Sequence, residues 1–142
     1  MSLLGRIIEW VKRKIFSKTF IKFNIVGASG ILVNMAVFWL LTSFSTVHHL
    51  LSGAIATEVS ILNNFILNHL WTFSDRRREL HILVRLAAFH ASRLLGLFIT
   101  VGVLYLLADM LGLYLYLAYL IAIGFGVLAN FYTSDVFVWA EK

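Results

Sequence analysis

Residues 23–44 read FNIVGASGILVNMAVFWLLTSF, a run of 22 positions without one Asp, Glu, Lys or Arg. At about 1.5 Å per residue such a helix is about 33 Å long, enough to cross a hydrocarbon core of about 30 Å. Its apolar residues surround the helix and leave no charged face for water, which excludes a surface helix of a soluble domain. Three further runs share this character, from about Leu50 to Leu70, about Leu86 to Leu107 and about Leu113 to Val136. The connections between them are short, so neighbouring helices are antiparallel. The sequence predicts an all-α membrane protein with four transmembrane helices.

Composition agrees. Of 142 residues, 61% are hydrophobic and 13% charged, against about 45–50% and about 25% in an average soluble domain. The mean hydropathy of +0.89 describes more apolar surface than one small core can hide. A soluble enzyme and a disordered chain are excluded, and with no cysteine so is a disulfide scaffold.

A net charge of +5, from 12 Lys+Arg against 7 Asp+Glu, would in a soluble protein point to nucleic acid. The positions of the charges point elsewhere. Arg6, Lys12, Arg13, Lys14, Lys18 and Lys22 precede the first span. Arg76, Arg77 and Arg78 lie between spans two and three, Arg85 begins span three, and Lys142 follows span four. The loops around His48 and His49, and around Asp109 and Gly112, carry no Lys or Arg. By the positive-inside rule both termini and the middle loop are cytoplasmic, in a multi-pass protein of the cell membrane that binds no nucleic acid. Trp71, Phe73, Phe137 and Trp139 close the cytoplasmic helix ends as interfacial aromatics. Ahead of the spans, Leu4, Ile7, Ile8, Val11 and Ile15 recur at helical spacing among basic residues. This predicts an interfacial amphipathic helix on anionic lipid over residues 1–20, followed by a four-helix domain over 21–142. Charges interrupt that segment throughout, so it is no cleavable signal peptide.

A shift of 66 residues brings the two halves into register without a gap. Phe23 falls on Phe89, Gly30 on Gly96, Ile55-Ala56 on Ile121-Ala122 and Asn64-Phe65 on Asn130-Phe131. Each half holds an even number of helices, so the two helix pairs form a parallel repeat about an axis along the membrane normal.

Few polar residues interrupt the spans. Thr57, Ser60, Asn64 and Asn68 form one stripe along span two, with Glu58 and Asn63 about 100° to its side. Span four repeats the stripe as Gly126, Asn130 and Ser134. Such residues either glue helices together or line a site. Arg93 lies about 12 Å inward from Arg85, where a guanidinium costs about 2.5–3.5 kcal/mol and requires a partner or an aqueous cavity. Counting residues puts Asn63, Asn64 and Asn130 at a similar depth. An arginine among amides suits a phosphate oxyanion and sugar hydroxyls. The structural alternative is an ion pair of Arg93 with Glu58 or with Asp135. The repeat is asymmetric here, because Gly27 stands opposite Arg93 and Gly124 opposite Glu58. His48, His49, His69 and His81 lie in loops or at interfaces without metal-ligand spacing, and no cofactor motif, nucleophile elbow or pair of catalytic acids is present. The chain reads as a non-enzyme without cofactor or metal.

The segment Lys22-Phe23-Asn24-Ile25-Val26-Gly27 with Gly30 and Asn34 resembles the opening of GtrA-like proteins. The run from Glu58 to Phe65 with Asn68, Trp71, Thr72 and Phe73 is similar to that family's most characteristic stretch. Arg93-Leu94-Leu95-Gly96 and Asn130-Phe131 resemble its third and fourth helices, whereas His69 and Asp135 stand where basic residues are usual. The resemblance implies flipping of a polyprenyl-phosphate-linked sugar from the cytoplasmic to the outer leaflet for cell-surface polysaccharide synthesis. Arg93 and Arg85 would then meet the phosphate, and Glu58, Asn34, Asn63, Asn64, Asn68 and Asn130 the sugar. The implied partners are the lipid-linked sugar, membrane lipids and glycosyltransferases of the same pathway. A single four-helix bundle is narrow for this cargo, so a homo-oligomer, most simply a dimer, is expected. Two other readings remain open, a proton-coupled exporter using Glu58 and a non-transporting scaffold for a glycosyltransferase.

Overall fold

The computed structural model describes residues 1–76 and 80–140, so Arg77, Arg78 and Lys142 of the charge pattern lie outside the described residues. Among the described residues all regular structure is helical. A short helix α1 (Leu3–Lys14) precedes four long ones. These are α2 (Lys18–Phe44), α3 (His49–Leu67), α4 (Ile82–Leu104) and α5 (Leu115–Thr133). The last three continue without a break into π-helical turns, Asn68–Thr72, Tyr105–Met110 and Ser134–Val138 respectively. Counted with those turns, the four apolar helices run 27, 24, 29 and 24 residues, and even the shorter ones span about 36 Å. Large apolar side chains remain exposed along them, Leu32 at 70% and Phe98 at 71% among them. Protein packing does not cover these surfaces, so lipid is their solvent. The chain is a multi-pass membrane protein.

The helix ends follow local chemistry. Ser2 and Ser17 are N-caps whose hydroxyls accept from the N–H groups of Gly5 and Phe20, each at 3.1 Å. Ser17 therefore starts a new helix, and the single amphipathic helix expected through residue 20 divides into α1 and the first turn of α2. Span one begins at Lys18 rather than Phe23, which carries Lys18 and Lys22 on the helix itself. His48 and His81 cap α3 and α4 through Nδ1, accepting from Leu50 at 3.3 Å and Leu83 at 3.2 Å. Span three thus begins at Ile82 rather than Leu86, and Arg85 sits within the first turn of α4. Gly112 (φ +68°) turns the chain between the end of α4 and α5 in a left-handed conformation that suits glycine.

The chain divides into two compact units, residues 1–75 and residues 76 onward. In the first, α2 packs on α3; in the second, α4 packs on α5. Each unit repeats the other's internal contacts 66 residues apart. Phe23 meets Phe73 edge-on at 6.4 Å, and Phe89 meets Trp139 edge-on at 5.5 Å. Phe65 and Phe131 are buried, as are Ala56 and Ala122. The π-turns at 68–72 and 134–138 occupy the same register, each closed by an N–H to C=O bond of 2.8 Å, from Phe73 to Asn68 and from Trp139 to Ser134. The repeat read from Gly and Asn matches extends to individual contacts.

Candidate functional site

The polar stripe of α3 turns first toward α2. Gly30 carries no side chain, and the amide of Asn64 lies against its Cα so closely that a Cβ there would collide with it. The Ser60 hydroxyl donates to the Gly30 carbonyl at 2.7 Å, and Asn63 donates to Ser29 Oγ at 3.2 Å and to Asn64 Oδ1 at 3.4 Å. Farther along, Asn34 donates to Thr57 Oγ1 at 3.3 Å. These bonds form a polar seam between two membrane helices, built around a glycine that lets the backbones approach. Asn34, Asn63 and Asn64 are members of that seam.

The second unit builds its seam from different residues. Asn130 lies against Gly96 as Asn64 lies against Gly30. Gly126 stands where the first unit has Ser60, and a Cβ there would strike Thr100 Oγ1. Thr100 takes over the serine's task, its hydroxyl donating to the Gly96 carbonyl at 2.9 Å. Ser92 adds a bond to the Asn130 carbonyl at 3.3 Å and a contact with Thr133 Oγ1.

Asn68 differs from the seam amides. It is completely buried, and neither its Oδ1 nor its Nδ2 has a hydrogen-bond partner among the described residues. The same holds for Thr72 Oγ1, one turn on and 4% exposed, and for Ser134 Oγ, the residue equivalent to Asn68 in the second unit. Asn130 Oδ1 is a further buried acceptor of this kind. Each such group costs about 1–3 kcal/mol, so a fold that keeps them requires a reason.

The charged candidates are distributed over the units. Arg85 is buried in the first turn of α4. Arg93, half-buried one helical stretch farther in, lies over the ring of Phe89 with Cζ 4.7 Å from its centroid. Glu58 is exposed on α3. At the positions equivalent to Arg93 and Glu58, Gly27 and Gly124 face open space. The acid and the base therefore occupy positions that helix packing leaves unfilled in the other half. At the end of the first hairpin, Lys22 Nζ sits 5.2 Å from the centre of the Trp71 ring.

One buried charge pair did not emerge from the sequence reading. Arg76 donates to Asp135 Oδ1 at 2.5 Å, to the Asp135 carbonyl at 3.0 Å and to the Trp139 carbonyl at 2.5 Å. The two side chains are 5% and 6% exposed. Asp135, considered above as a partner for Arg93, is held by Arg76, and the guanidinium caps carbonyls at the end of the last helix. Its sequence signal was Asp135 itself, an acid where basic residues are usual, matched by an arginine in the loop.

Comparison with known proteins accords with this architecture. Residues 22–139 match the family model "GtrA/DPMS, transmembrane domain". The chain is 40% identical over 104 residues to a protein of Pyrococcus furiosus named dolichol-phosphate mannosyltransferase, a match covering 67% of this chain and 29% of that relative. The chain thus aligns with less than a third of the relative's length. With four apolar helices in two repeated hairpins and a family match over most of its length, the chain belongs to the GtrA/DPMS family of transmembrane domains.

Proposed function

We propose that this protein flips a polyprenyl-phosphate-linked sugar from the cytoplasmic to the outer leaflet, as a non-catalytic step in building or modifying a cell-surface glycan. The observation that carries the reading is family membership, because the relative's name joins a polyprenol phosphate to a sugar. The distribution of polar groups supports it. Arg93 and Arg85 supply cations for the phosphodiester, replacing water around an anion that hydrocarbon would otherwise exclude. Asn68 and Asn130, with their unpartnered buried atoms, and Glu58, exposed on its span, supply hydrogen-bonding groups for hydroxyls. Asn34, Asn63 and Asn64 reach hydroxyls only by exchanging bonds of the seam. Both termini lie in the cytoplasm, α1 rests on anionic lipid, and a homodimer gives the cargo the width that one bundle lacks. Glycosyltransferases of the same pathway load the cargo and use it.

In a cell that depends on this protein, Arg93→Ala and Arg85→Ala abolish sugar transfer on the outer face at normal protein levels. Unchanged glycan modification in both variants contradicts the proposal.

A second reading follows from the relative's being named a transferase. Here the chain serves as the membrane partner of a separate glycosyltransferase, recruited through basic α1. In that case deletion of residues 1–18 destroys function, whereas Arg93→Ala leaves it intact.

A further inference from the structure

The flipping reading leaves open how a headgroup is distinguished from a bare prenyl phosphate. We infer that Asn68 and Thr72 form a subsite for the hydroxyls of the sugar, distinct from the cations that meet the phosphate; the inference rests on the flipping reading above. The two residues are four apart on one π-turn, so their side chains stand one above the other on the same face. Both are nine-tenths or more buried, and three of their polar atoms, Asn68 Oδ1, Asn68 Nδ2 and Thr72 Oγ1, have no hydrogen-bond partner among the described residues.

The chemistry of those atoms selects the ligand. An amide offers a donor and an acceptor side by side, and a hydroxyl offers either. Adjacent sugar hydroxyls have the same dual character and satisfy all three atoms at once. A phosphate oxyanion only accepts, and Asn68 Oδ1 would repel it. The second unit shows what the same turn becomes without this task. There Ser134 and Val138 replace Asn68 and Thr72, leaving one hydroxyl, and Arg76 ties the turn by three hydrogen bonds to Asp135 and Trp139. Ser134 Oγ is also buried without a partner among the described residues, but the π-turn of the first unit sets three such atoms, from an amide and a hydroxyl, one turn apart. Helices widened to i→i+5 bonding occur often at functional sites. The set lies below the surface, so a sugar reaches it only if the end of α3 opens, and its hydroxyls then supply the hydrogen bonds that these atoms lack.

The test uses the full chain in lipid nanodiscs and two kinds of probe, dolichyl phosphate and a panel of dolichyl-phosphate monosaccharides. The wild type binds at least one glycosylated probe more tightly than dolichyl phosphate, by about tenfold for a set of hydrogen bonds of this size. Thr72→Val and Asn68→Leu, which keep shape and remove polarity, abolish that preference, leave affinity for dolichyl phosphate unchanged and do not lower the unfolding temperature. Variants that retain the preference overturn the subsite, and a drop in unfolding temperature with the preference intact assigns these groups to structure instead. A wild type that binds all probes equally overturns the subsite and leaves lipid binding standing. A wild type that binds none overturns the flipping reading and the subsite with it.

Discussion

Asn64 lies against the bare Cα of Gly30, and 66 residues later Asn130 lies against Gly96 in the same way. This glycine–amide contact, made once in each hairpin, is a close approach that the repeat preserves. A methyl group at Gly30 or Gly96 would displace a half-buried or buried amide from the seam. Gly30→Ala and Gly96→Ala each cost about 1–3 kcal/mol, the usual range for overpacking. Thermal unfolding in detergent measures the loss, and Asn64→Ala in the Gly30→Ala background recovers part of it because the colliding group is gone.

Arg76 and Asp135 are both almost fully buried, so removing either leaves the other charge uncompensated. Arg76→Ala or Asp135→Ala destabilises by about 3–5 kcal/mol. In a double-mutant cycle the two losses are strongly non-additive, because each variant already forfeits the pair. Additive losses would contradict the pairing.

The four spans were legible because the length of an apolar run is a property of the chain read in one dimension. Repeat contacts were legible where Gly and Asn coincided, since both residue types are uncommon enough in apolar sequence for a match to carry weight. The Arg76–Asp135 pair joins residues 59 positions apart, and neither residue's neighbours reveal the other. The π-turns differ from α-helix by one residue of hydrogen-bond register, a difference with no compositional signature. For Asn64 the stripe left glue and site equally open, and for Asn63, about 100° to its side, the lack of an Asn counterpart in the repeat favoured a site. It took the bond to Ser29 and the contact with Gly30 to show the seam. Asn68 occupies the same stripe, yet its isolation depends on the turn that follows Leu67.

The absence of cysteine makes the proposed orientation directly testable. Single cysteines placed at Thr46 and Gly112 react with a membrane-impermeant thiol reagent from outside intact cells, whereas one at Ser74 reacts only after permeabilisation. The reverse pattern contradicts cytoplasmic termini.

Arginine at position 93 is expected to act through its planar fork as well as its charge. Arg93→Lys therefore retains only part of the proposed transport activity, about a tenth or less if bidentate phosphate contact is lost, and Arg93→Ala retains none. Equal activity of the lysine variant and the wild type would assign the residue to charge balance alone.

The proposed function is transbilayer movement of a lipid-linked sugar by this chain. Its most direct test is flipping in proteoliposomes that contain only the purified protein and a radiolabelled dolichyl-phosphate monosaccharide, scored by the fraction of headgroup accessible to periodate outside. Accessibility is expected to rise from the outer-leaflet half toward all of the label with wild-type protein and to remain at half with Arg93→Ala. Equal rates in protein-free vesicles, wild-type vesicles and Arg93→Ala vesicles would contradict it.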